Sequence, residues 1–392
     1  MSPRTYLLAA GAFAVGTSGY IVSGVLPAVS RDLNVSSATA GQLVTAFAIA
    51  YAIASPLMAA AMGRWERRRL LVVALLISTL GNALAAIAPT YELLLASRVV
   101  SALGAAVYTP AATAVATMLN PPDHRGREVA IVFGGLTFAL ILGVPAGSLI
   151  GASLGYKGVF ALVAAASLLG AVAVRLGIPA VAAPPAVRLR DRFTIAADRR
   201  VQYVLGMTVF GCLAAFSVFT FIAPILGEIA GVHGTTISIL LLIYGVGGAI
   251  GNNVGGRVTD KFGSQKPLFA IFVVFIGVLA TLPFTATSTV AAGIVLFVWG
   301  LFTWSVNPPI QNWLIELSPA NSSLLLSLNG SAIYLGVGLS GIFGGVVINS
   351  AGLTALPPIA AIVAAVALVF LLLASRPSKS ERTKAPEFAL AD

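Results

Sequence analysis

Gly256-Arg257-Val258-Thr259-Asp260-Lys261-Phe262-Gly263 stands between two long apolar runs, and Gly63-Arg64-Trp65-Glu66-Arg67-Arg68-Arg69 stands at the matching place earlier in the chain. Each stretch is short, charged and led by glycine. This composition predicts a turn that stays in water between two membrane helices, because charges in hydrocarbon cost several kcal/mol. The two stretches lie roughly 190 residues apart, so we predict two homologous halves, an internal symmetry typical of membrane carriers.

Composition indicates a membrane protein with many spans. Hydrophobic residues form 58% of the 392 residues, only 9% are charged, and the mean hydropathy is +0.98. A soluble core of this size cannot hide so much apolar surface, and a helix needs about 20 apolar residues to cross a bilayer. We predict an all-α membrane protein with about twelve transmembrane helices in two pseudo-symmetric six-helix bundles, over residues 5–29, 40–62, 70–89, 93–118, 128–151, 158–177, 201–227, 235–256, 267–286, 289–314, 324–349 and 353–375.

The net charge of +10 follows the predicted topology and does not indicate a nucleic-acid partner. Most of the 23 lysine and arginine residues fall on one side of the predicted membrane, in its loops and near both ends of the chain. Arg31 and Lys157 fall on the other side, and Arg98 lies within a span. The positive-inside rule places the basic side in the cytoplasm. We therefore expect a multi-pass protein of the cell (inner) membrane with both termini cytoplasmic.

Catalytic and metal chemistry are not expected. One cysteine, Cys212, excludes a disulfide framework, and His124 and His233, both in predicted loops, are too few for a histidine-rich metal site. No nucleophile, acid–base pair or ligand cluster is predicted at membrane depth, so we expect neither an enzyme nor a cofactor. The short tail with its prolines argues against a membrane sensor.

The chain divides at its longest polar interruption. Residues 178–200 contain three prolines and then a basic stretch, which predicts a cytoplasmic linker that could also contact lipid headgroups. An N-terminal six-helix bundle over residues 1–177 (the N half) and a C-terminal one over residues 201–375 (the C half) follow from this division. Residues 376–392 are predicted to be a disordered cytoplasmic tail.

Small residues recur at every fourth position in four predicted spans, which lets helices approach closely. These lines fit either sliding surfaces between two halves that rock or static close packing. They are Ser55, Ala59 and Gly63; Gly143, Gly147 and Gly151; Gly247, Gly251 and Gly255; and Gly336, Ser340 and Gly344.

Several motifs together resemble one family. The second charged turn matches the pattern Gly-x-x-x-Asp-(Arg/Lys)-x-Gly, and Gly143-Val144-Pro145-Ala146-Gly147 is a looser form of the antiporter motif Gly-Pro-x-x-Gly-Gly. Over residues 1–375 the chain resembles the major facilitator superfamily, within it the twelve-span drug/proton antiporters near the chloramphenicol-resistance and sugar-efflux exporters. The resemblance to that branch also rests on Gly16-Thr17-Ser18, Leu26-Pro27, Asp32-Leu33, Ala40-Gly41-Gln42-Leu43, Trp299-Gly300-Leu301, Trp304, Pro308, Gln311, Asn329 and Leu335-Gly336.

The resemblance implies the major facilitator fold and assigns gating roles to the motifs. Asp260 is expected to cap a neighbouring helix end and to hold a cytoplasmic charge relay closed in one conformation. The first turn departs from the pattern, because Arg67 stands in the place of the acid and Glu66 one residue early, so its gate is lost or is built differently. Pro145 is expected to kink the fifth span. The candidate gating residues are Gly63, Arg64, Arg67, Arg68, Gly143, Pro145, Gly147, Gly256, Asp260, Lys261 and Gly263.

Arg98 is the candidate for proton coupling. A charged group inside a span is a functional candidate by default, and the resemblance makes Arg98 the arginine that these antiporters use for coupling; the alternative is that it snorkels to the interface near Glu92. Relatives place an acid just after Gly-Thr-Ser, where this chain has Gly19-Tyr20. Coupling is therefore expected to pass through a peripheral acid near Arg98, either Asp32 or Glu92, or to be different or absent.

Polar and aromatic residues at membrane depth are the candidates for a substrate cavity. With no charged side chain in the presumed centre, we predict an alternating-access efflux transporter of a small neutral or weakly charged organic compound, a drug or an antibiotic such as chloramphenicol, that works as a proton antiporter and as a monomer. Alternatives are a sugar, nucleoside or other metabolite exporter, or an uncoupled facilitator or importer. The candidate cavity residues are Thr17, Tyr20, Tyr51, Tyr108, Phe138, Phe216, Phe219, Tyr244, Asn252, Trp304, Asn307, Gln311, Asn329 and Tyr334.

Overall fold

The structure is a computed structural model that describes residues 3–62, 65–119, 125–182, 197–318 and 322–376, and all regular structure in these residues is helical. The N half contains α1 (Pro3–Asp32), α2 (Ser37–Ala61), α3 (Arg67–Ile87), α4 (Tyr91–Met118), α5 (Arg125–Phe138), a π-helical turn (Ala139–Gly143) and α6 (Val144–Gly177). The C half contains α7 (Arg199–Thr220), α8 (Ile222–Ala230), α9 (Thr235–Phe262), α10 (Gln265–Thr285), α11 (Thr289–Ser305), α12 (Asn307–Leu317), α13 (Ser322–Ala351) and α14 (Leu356–Ala374).

Eleven helical segments of the described residues are long and apolar enough to cross a membrane, and one of them contains two spans. That segment, Ile131–Gly177, has 47 residues, about twice what a bilayer requires. At Gly155 its backbone leaves the helical conformation, with φ at 65° and ψ at 180°, a region open to glycine because it lacks a Cβ. The fifth and sixth predicted spans therefore meet at a single residue.

Prolines explain the breaks inside three other spans. Pro224 has no N–H for the carbonyl of Thr220, and α7 ends at that residue. Pro308 and Pro309 occupy the first turn of α12, where a missing N–H costs nothing, so the tenth span restarts after Val306. Before Pro145 the fifth span widens into the π-helical turn, and the kink expected at this proline stays a prediction.

Two faces of the bundle differ in charge. The basic face carries exposed cations at the ends of helices, among them Arg69, Arg257, Lys261 and Lys266. The opposite face carries the turns at residues 33–36, 88–90 and 231–234, with Arg31 and Lys157. The positive-inside rule relies on such a difference in charge between the two faces. The cytoplasmic location of the basic face stays a prediction from that rule.

The halves close together on the side of the opposite face. There α2 packs along α13: Gly341 lies against Gly41 and Thr45, and Gln42 Nε2 donates to the Gly341 carbonyl at 3.1 Å. One apolar cluster runs through both halves on this side, from Leu43 in α2 to Phe221 beside α8. A second cluster, with Leu8, Leu71 and Val115, lies within the N half towards the basic face. Gly256 and Gly330, near the basic face in the C half, border open space.

Three of the four small-residue lines pack inside one half, so the hypothesis of sliding surfaces between halves is wrong for them. Gly143, Gly147 and Gly151 face α1; Gly247, Gly251 and Gly255 face α11; and Gly336 and Gly344 face α7 and its end. The fourth line falls largely outside the described residues. Among the described residues, the glycines that meet the other half are Gly41 of α2, Gly245 of α9, and Gly338, Gly341 and Gly345 of α13. The sequence shows that small residues recur along one face of a helix, but it does not show whether that face meets the other half.

Candidate functional site

A narrow cavity lies where the two halves meet, near the middle of the helices. The ring of Tyr20 on α1 stacks on Phe216 of α7 with ring centroids 6.2 Å apart, and Trp304 of α11 points its edge at Tyr20 at 6.5 Å. Helices of both halves thus supply its walls, as a site in an alternating-access carrier requires. The lining consists of Gly19, Tyr20, Ser23, Val44, Phe47, Phe216, Tyr334 and Val337.

A stacked tyrosine pair joins the halves on the side of the cavity that faces the basic face. Tyr51 lies one turn beyond Phe47 on α2, and its ring stacks on that of Tyr334 with centroids 3.5 Å apart and planes at 16°. The pair separates the cavity from the basic face. Ligand passage in that direction therefore requires these two rings to part.

The wall of the C half is backed by further aromatic rings. Phe219 stacks on Tyr244 at 4.9 Å, and Tyr244 lies 4.8 Å from Trp299. All three side chains are buried. This packing holds Phe216 and Trp304 in place from behind, because large rings in contact have few free rotamers.

Arg98 is buried in the N half without an acid beside it. Its side chain has 0% exposure, and Nη2 donates to the Ser18 carbonyl at 2.5 Å. The guanidinium carbon lies 4.7 Å from the ring centroid of Phe47 and 5.4 Å from that of Phe160, distances of cation–π contacts. Nε and Nη1 have no hydrogen-bond acceptor among the described residues. Arg98 therefore does not snorkel to the interface, and that alternative is wrong.

Ser18 also belongs to a buried polar network that sequence reasoning missed. Its Oγ donates to Asn82 Oδ1 at 3.0 Å, and Asn82 Nδ2 donates to the Ser78 carbonyl at 2.8 Å. Ser78 Oγ lies 3.5 Å from Ser167 Oγ. The network joins α1, α3 and α6 behind Arg98. An asparagine in the middle of the apolar third span was the available signal, since buried amides need partners.

The peripheral acids do not lie beside Arg98, so that part of the coupling hypothesis is wrong for this conformation. Asp32 is at the opposite face, 3.9 Å from Arg31, and Glu92 is exposed in the first turn of α4. The buried acid among the described residues is Glu128 in the first turn of α5, with 3% exposure. Its Oε2 has no hydrogen-bond partner in the described part of the chain. Sequence reasoning did not single out this acid.

The first charged turn is built around Glu66. Its carboxylate accepts from Arg68 N at 2.8 Å, Arg69 N at 3.0 Å and Val181 N at 3.0 Å. Partial burial raises the pKa of Glu66, but the three backbone N–H groups outweigh burial and hold the pKa below its ordinary value. Glu66 therefore caps α3 and fixes the chain that follows α6, which is how this turn differs from the expected gate. Gly63 and Arg64 lie outside the described residues, and Arg67 and Arg68 begin α3.

The second charged turn is free of such ties. Asp260 and Lys261 are exposed in the last turn of α9, and Asp260 makes no hydrogen bond or ion pair with the described residues. Gly263 ends the helix with φ at 74°. The cap on a neighbouring helix end is thus absent here, where the basic face is open. The neighbouring Ser264 is held by a hydrogen bond, in which Asn312 Nδ2 donates to Ser264 Oγ at 2.9 Å.

The structure brings together part of the predicted cavity set. Tyr20, Phe216 and Tyr334 line the cavity, and Tyr51 and Trp304 contact them. The other predicted residues lie outside the cavity. Those buried in the cores of the halves are Thr17, Tyr108, Phe219, Tyr244 and Asn329. Phe138 and Asn252 are on exposed surfaces, and Asn307 and Gln311 are part-buried on α12.

Sequence reasoning missed Gly19, Ser23, Val44, Phe47 and Val337. Val44, Phe47 and Tyr51 follow helical spacing on one face of α2, so extending that face from Tyr51 would have found them.

A larger groove lies elsewhere, between the ends of α9 and α11 at the opposite face. Its walls are apolar apart from two threonines, and Val290 and Ile294 are among its most exposed residues. It opens on the outer surface of the C half, where acyl chains of a bilayer would fill it. The cavity between the halves is the better candidate because residues from both halves meet there.

Comparison with known proteins decides the family. The sequence model of the Major Facilitator Superfamily matches residues 8–323 and 204–391. The chain belongs to this superfamily. This major facilitator is 32% identical to the uncharacterized MFS-type transporter YbcL of Bacillus subtilis over 371 residues, 94% of this chain and 95% of that protein. It is 32% identical to the inner membrane transport protein YdhP of Escherichia coli K12 over 372 residues, again 94% and 95%.

Two further likenesses concern a resistance protein and a solved structure. A chloramphenicol resistance protein of Streptomyces lividans is 35% identical over 306 residues, 77% of this chain and 78% of that protein. The crystal structure of a bacterial homolog to the human lysosomal transporter Spinster, in an inward-facing and occupied conformation, superposes with a TM-score of 0.80 over 96% of this chain and 97% of that one. At 17% identity that likeness shows the fold alone. The chain is a multi-pass membrane transporter and not an enzyme, as expected.

Proposed function

We propose that this transporter exports a small neutral or weakly charged organic compound, a drug or an antibiotic such as chloramphenicol, by alternating access. The observation that carries the proposal is the cavity between the halves, whose lining residues are aromatic, apolar or small and include no charged side chain. The relative from Streptomyces lividans, named for chloramphenicol resistance, supports this class of cargo. With the basic face cytoplasmic, substrate from inside the cell would reach the cavity when the rings of Tyr51 and Tyr334 part.

A susceptibility panel in a pump-deficient host tests this proposal. The native chain is compared with Arg98→Ala and with Phe284→Leu, a change on the lipid-exposed surface of α10 where the side chain is 78% exposed. We expect resistance to at least one compound that Arg98→Ala abolishes at equal membrane abundance and that Phe284→Leu retains. No change in susceptibility to any compound in cells that hold the native chain in the membrane would contradict export.

Proton coupling is the second part of the proposal, and Glu128 is the best candidate for the acid that carries the proton. Its side chain is 3% exposed and its Oε2 has no hydrogen-bond partner among the described residues, which sets it apart from the exposed acids. Asp32 and Glu92 remain candidates but are exposed. Glu128→Gln should uncouple export from a pH gradient, whereas Glu228→Gln, which changes an exposed acid of α8, is the matched control. Uptake into inside-out vesicles that ignores a pH jump in the native protein would contradict coupling.

An uncoupled facilitator is the competing function, and one observation favours it. None of the cavity lining residues is an acid, and Arg98 is held by a carbonyl and two rings, not by a carboxylate that protons could neutralise. Substrate accumulation measured with an intact and with a collapsed proton gradient separates the two functions. Accumulation against a gradient only when the proton gradient is intact supports antiport.

A further inference from the structure

The cavity carries no charge of its own, but a positive charge stands directly behind one wall. Phe47 lines the cavity, and the guanidinium of Arg98 lies 4.7 Å from the centroid of its ring. Arg98 is fully buried, and two of its nitrogens lack acceptors among the described residues. In a low-dielectric interior such a charge acts over a longer distance than it does in water.

No carboxylate offsets this charge near the cavity. Of the described acids in the N half, Asp32 and Glu92 are at the opposite face, and Glu128 and Glu66 begin helices at the basic face. In the C half, Asp260 and Glu316 lie at the basic face, and Glu228 lies in the last turn of α8 at the opposite face. The electrostatic potential in the cavity is therefore positive.

We propose that the cavity selects by charge, accepting neutral compounds with acceptor oxygens and small organic anions while excluding organic cations, and that Phe47 is the wall through which Arg98 exerts this selection. The proposal rests on the cavity being the substrate site of the proposed function. A cation held against one face of an aromatic ring draws electron density towards itself, so the far face attracts a second cation less. A ligand in the cavity meets that far face.

Gly19 provides a way to reverse the selection. A Cβ built on Gly19 would lie 3.3 Å from one ring carbon of Phe47 and 3.6 Å from another, so a small side chain there requires only a slight shift of the ring. An aspartate at this position would place a carboxylate at the cavity wall next to Phe47. Gly19→Ala adds the same Cβ without charge and is the matched control.

The test measures binding of three probes of similar shape to the full chain in nanodiscs of phosphatidylcholine at pH 7.4. Phenylacetamide is neutral, phenylacetate is an anion and phenethylamine is a cation, and calorimetry gives each dissociation constant. For the native protein we expect the cation to bind at least about tenfold more weakly than the neutral probe, the effect of a unit charge at this range in a partly shielded site. The anion should bind at least as tightly as the neutral probe.

The variants decide the source of the preference. Arg98→Gln should bring the cation within about threefold of the neutral probe. Gly19→Asp should do the same or reverse the order, whereas Gly19→Ala should keep the native order; this pair serves if Arg98→Gln does not fold. Tight cation binding by the native protein, or Gly19→Asp behaving like Gly19→Ala, would overturn charge selection but leave the transport site intact. Binding of no probe, or binding that Tyr20→Ala does not weaken, would overturn the cavity itself as the site.

Discussion

The two halves of this transporter differ in the chemistry of their interiors. The N half buries Arg98 and the polar network of Ser18, Asn82, Ser78 and Ser167, whereas the C half supplies a block of stacked rings. The buried polar pair of the C half is Thr208 and Asn329, joined by one hydrogen bond of 2.9 Å. The difference teaches that the N half contributes a fixed buried charge to the region around the cavity, while the C half contributes aromatic surface.

The largest expected difference between the halves concerns these polar side chains. Asn82→Leu leaves the Ser18 hydroxyl without its acceptor inside the N half and should destabilise the protein by about 2 kcal/mol. Asn329→Leu should cost less than about 1 kcal/mol, because the single hydroxyl hydrogen of Thr208 can then be donated to the Val204 carbonyl, 3.1 Å from Oγ1. Unfolding in mixed micelles measures the free energy of unfolding of both variants. Equal losses would show that the network of the N half is not the stronger one.

The two charged turns give the next difference. Glu66→Ala removes the cap of α3 and should destabilise by about 1 kcal/mol, whereas Asp260→Asn should change stability by less than about 0.5 kcal/mol, because Asp260 has no partner here. If Asp260 acts when the basic face closes, Asp260→Asn should reduce the transport rate more than Glu66→Ala does. Thermal unfolding and export assays on both variants sharpen this comparison. A large stability loss for Asp260→Asn would contradict the open state described here.

The pH dependence of stability gives a further test of the first charged turn. The folded protein holds the pKa of Glu66 below its unfolded value, so the carboxylate contributes stability above the unfolded pKa, about 4.3, and this contribution is lost as pH falls through the folded pKa. The native protein should therefore lose more stability on acidification than Glu66→Gln does. Melting temperatures of both at pH 7 and pH 4 check this. Parallel losses would show that Glu66 is not the responsible group.

The smallest expected effect lies where the halves touch. Tyr51 and Tyr334 stack across the boundary, and a double-mutant cycle with Tyr51→Ala and Tyr334→Ala should give a coupling energy of about 1 kcal/mol. Labelling of a cysteine introduced at Ser23 from the side of the basic face should become faster in each variant. Additive stability effects with unchanged labelling would mean that the pair does not close the cavity.

The fold was predictable because membrane helices are dictated by composition. Runs of about 20 apolar residues can satisfy their backbone in lipid only as helices, so the helix order followed from the sequence. The turn at Gly155 lies inside the gap predicted between residues 151 and 158, but the sequence did not show that a single residue leaves the helical conformation there. The breaks at Pro224 and at Pro308 follow from the missing N–H groups, which were visible in the sequence.

The site was predicted only in part, because helical faces decide which residues meet. Tyr20 and Phe216 were found since aromatic side chains stand out at membrane depth, whereas Tyr108, an aromatic of the same kind, donates to the Leu8 carbonyl inside the N half. Phe47 is the most consequential omission, since it contacts both the cavity and Arg98. Which face of α2 meets α13 is set by Gly338, Gly341 and Gly345, and their partners cannot be read from one sequence.

The most direct test of a site shared by both halves is a paired binding measurement on Tyr20→Ala in the N half and Phe216→Ala in the C half. The ligand is the compound against which the native chain gives the strongest resistance, and Phe284→Leu is the control. If the ligand lies between the stacked rings, each variant raises the dissociation constant by about tenfold, and the double variant loses less than the sum of the two free-energy changes. Native affinity in either single variant would contradict the account.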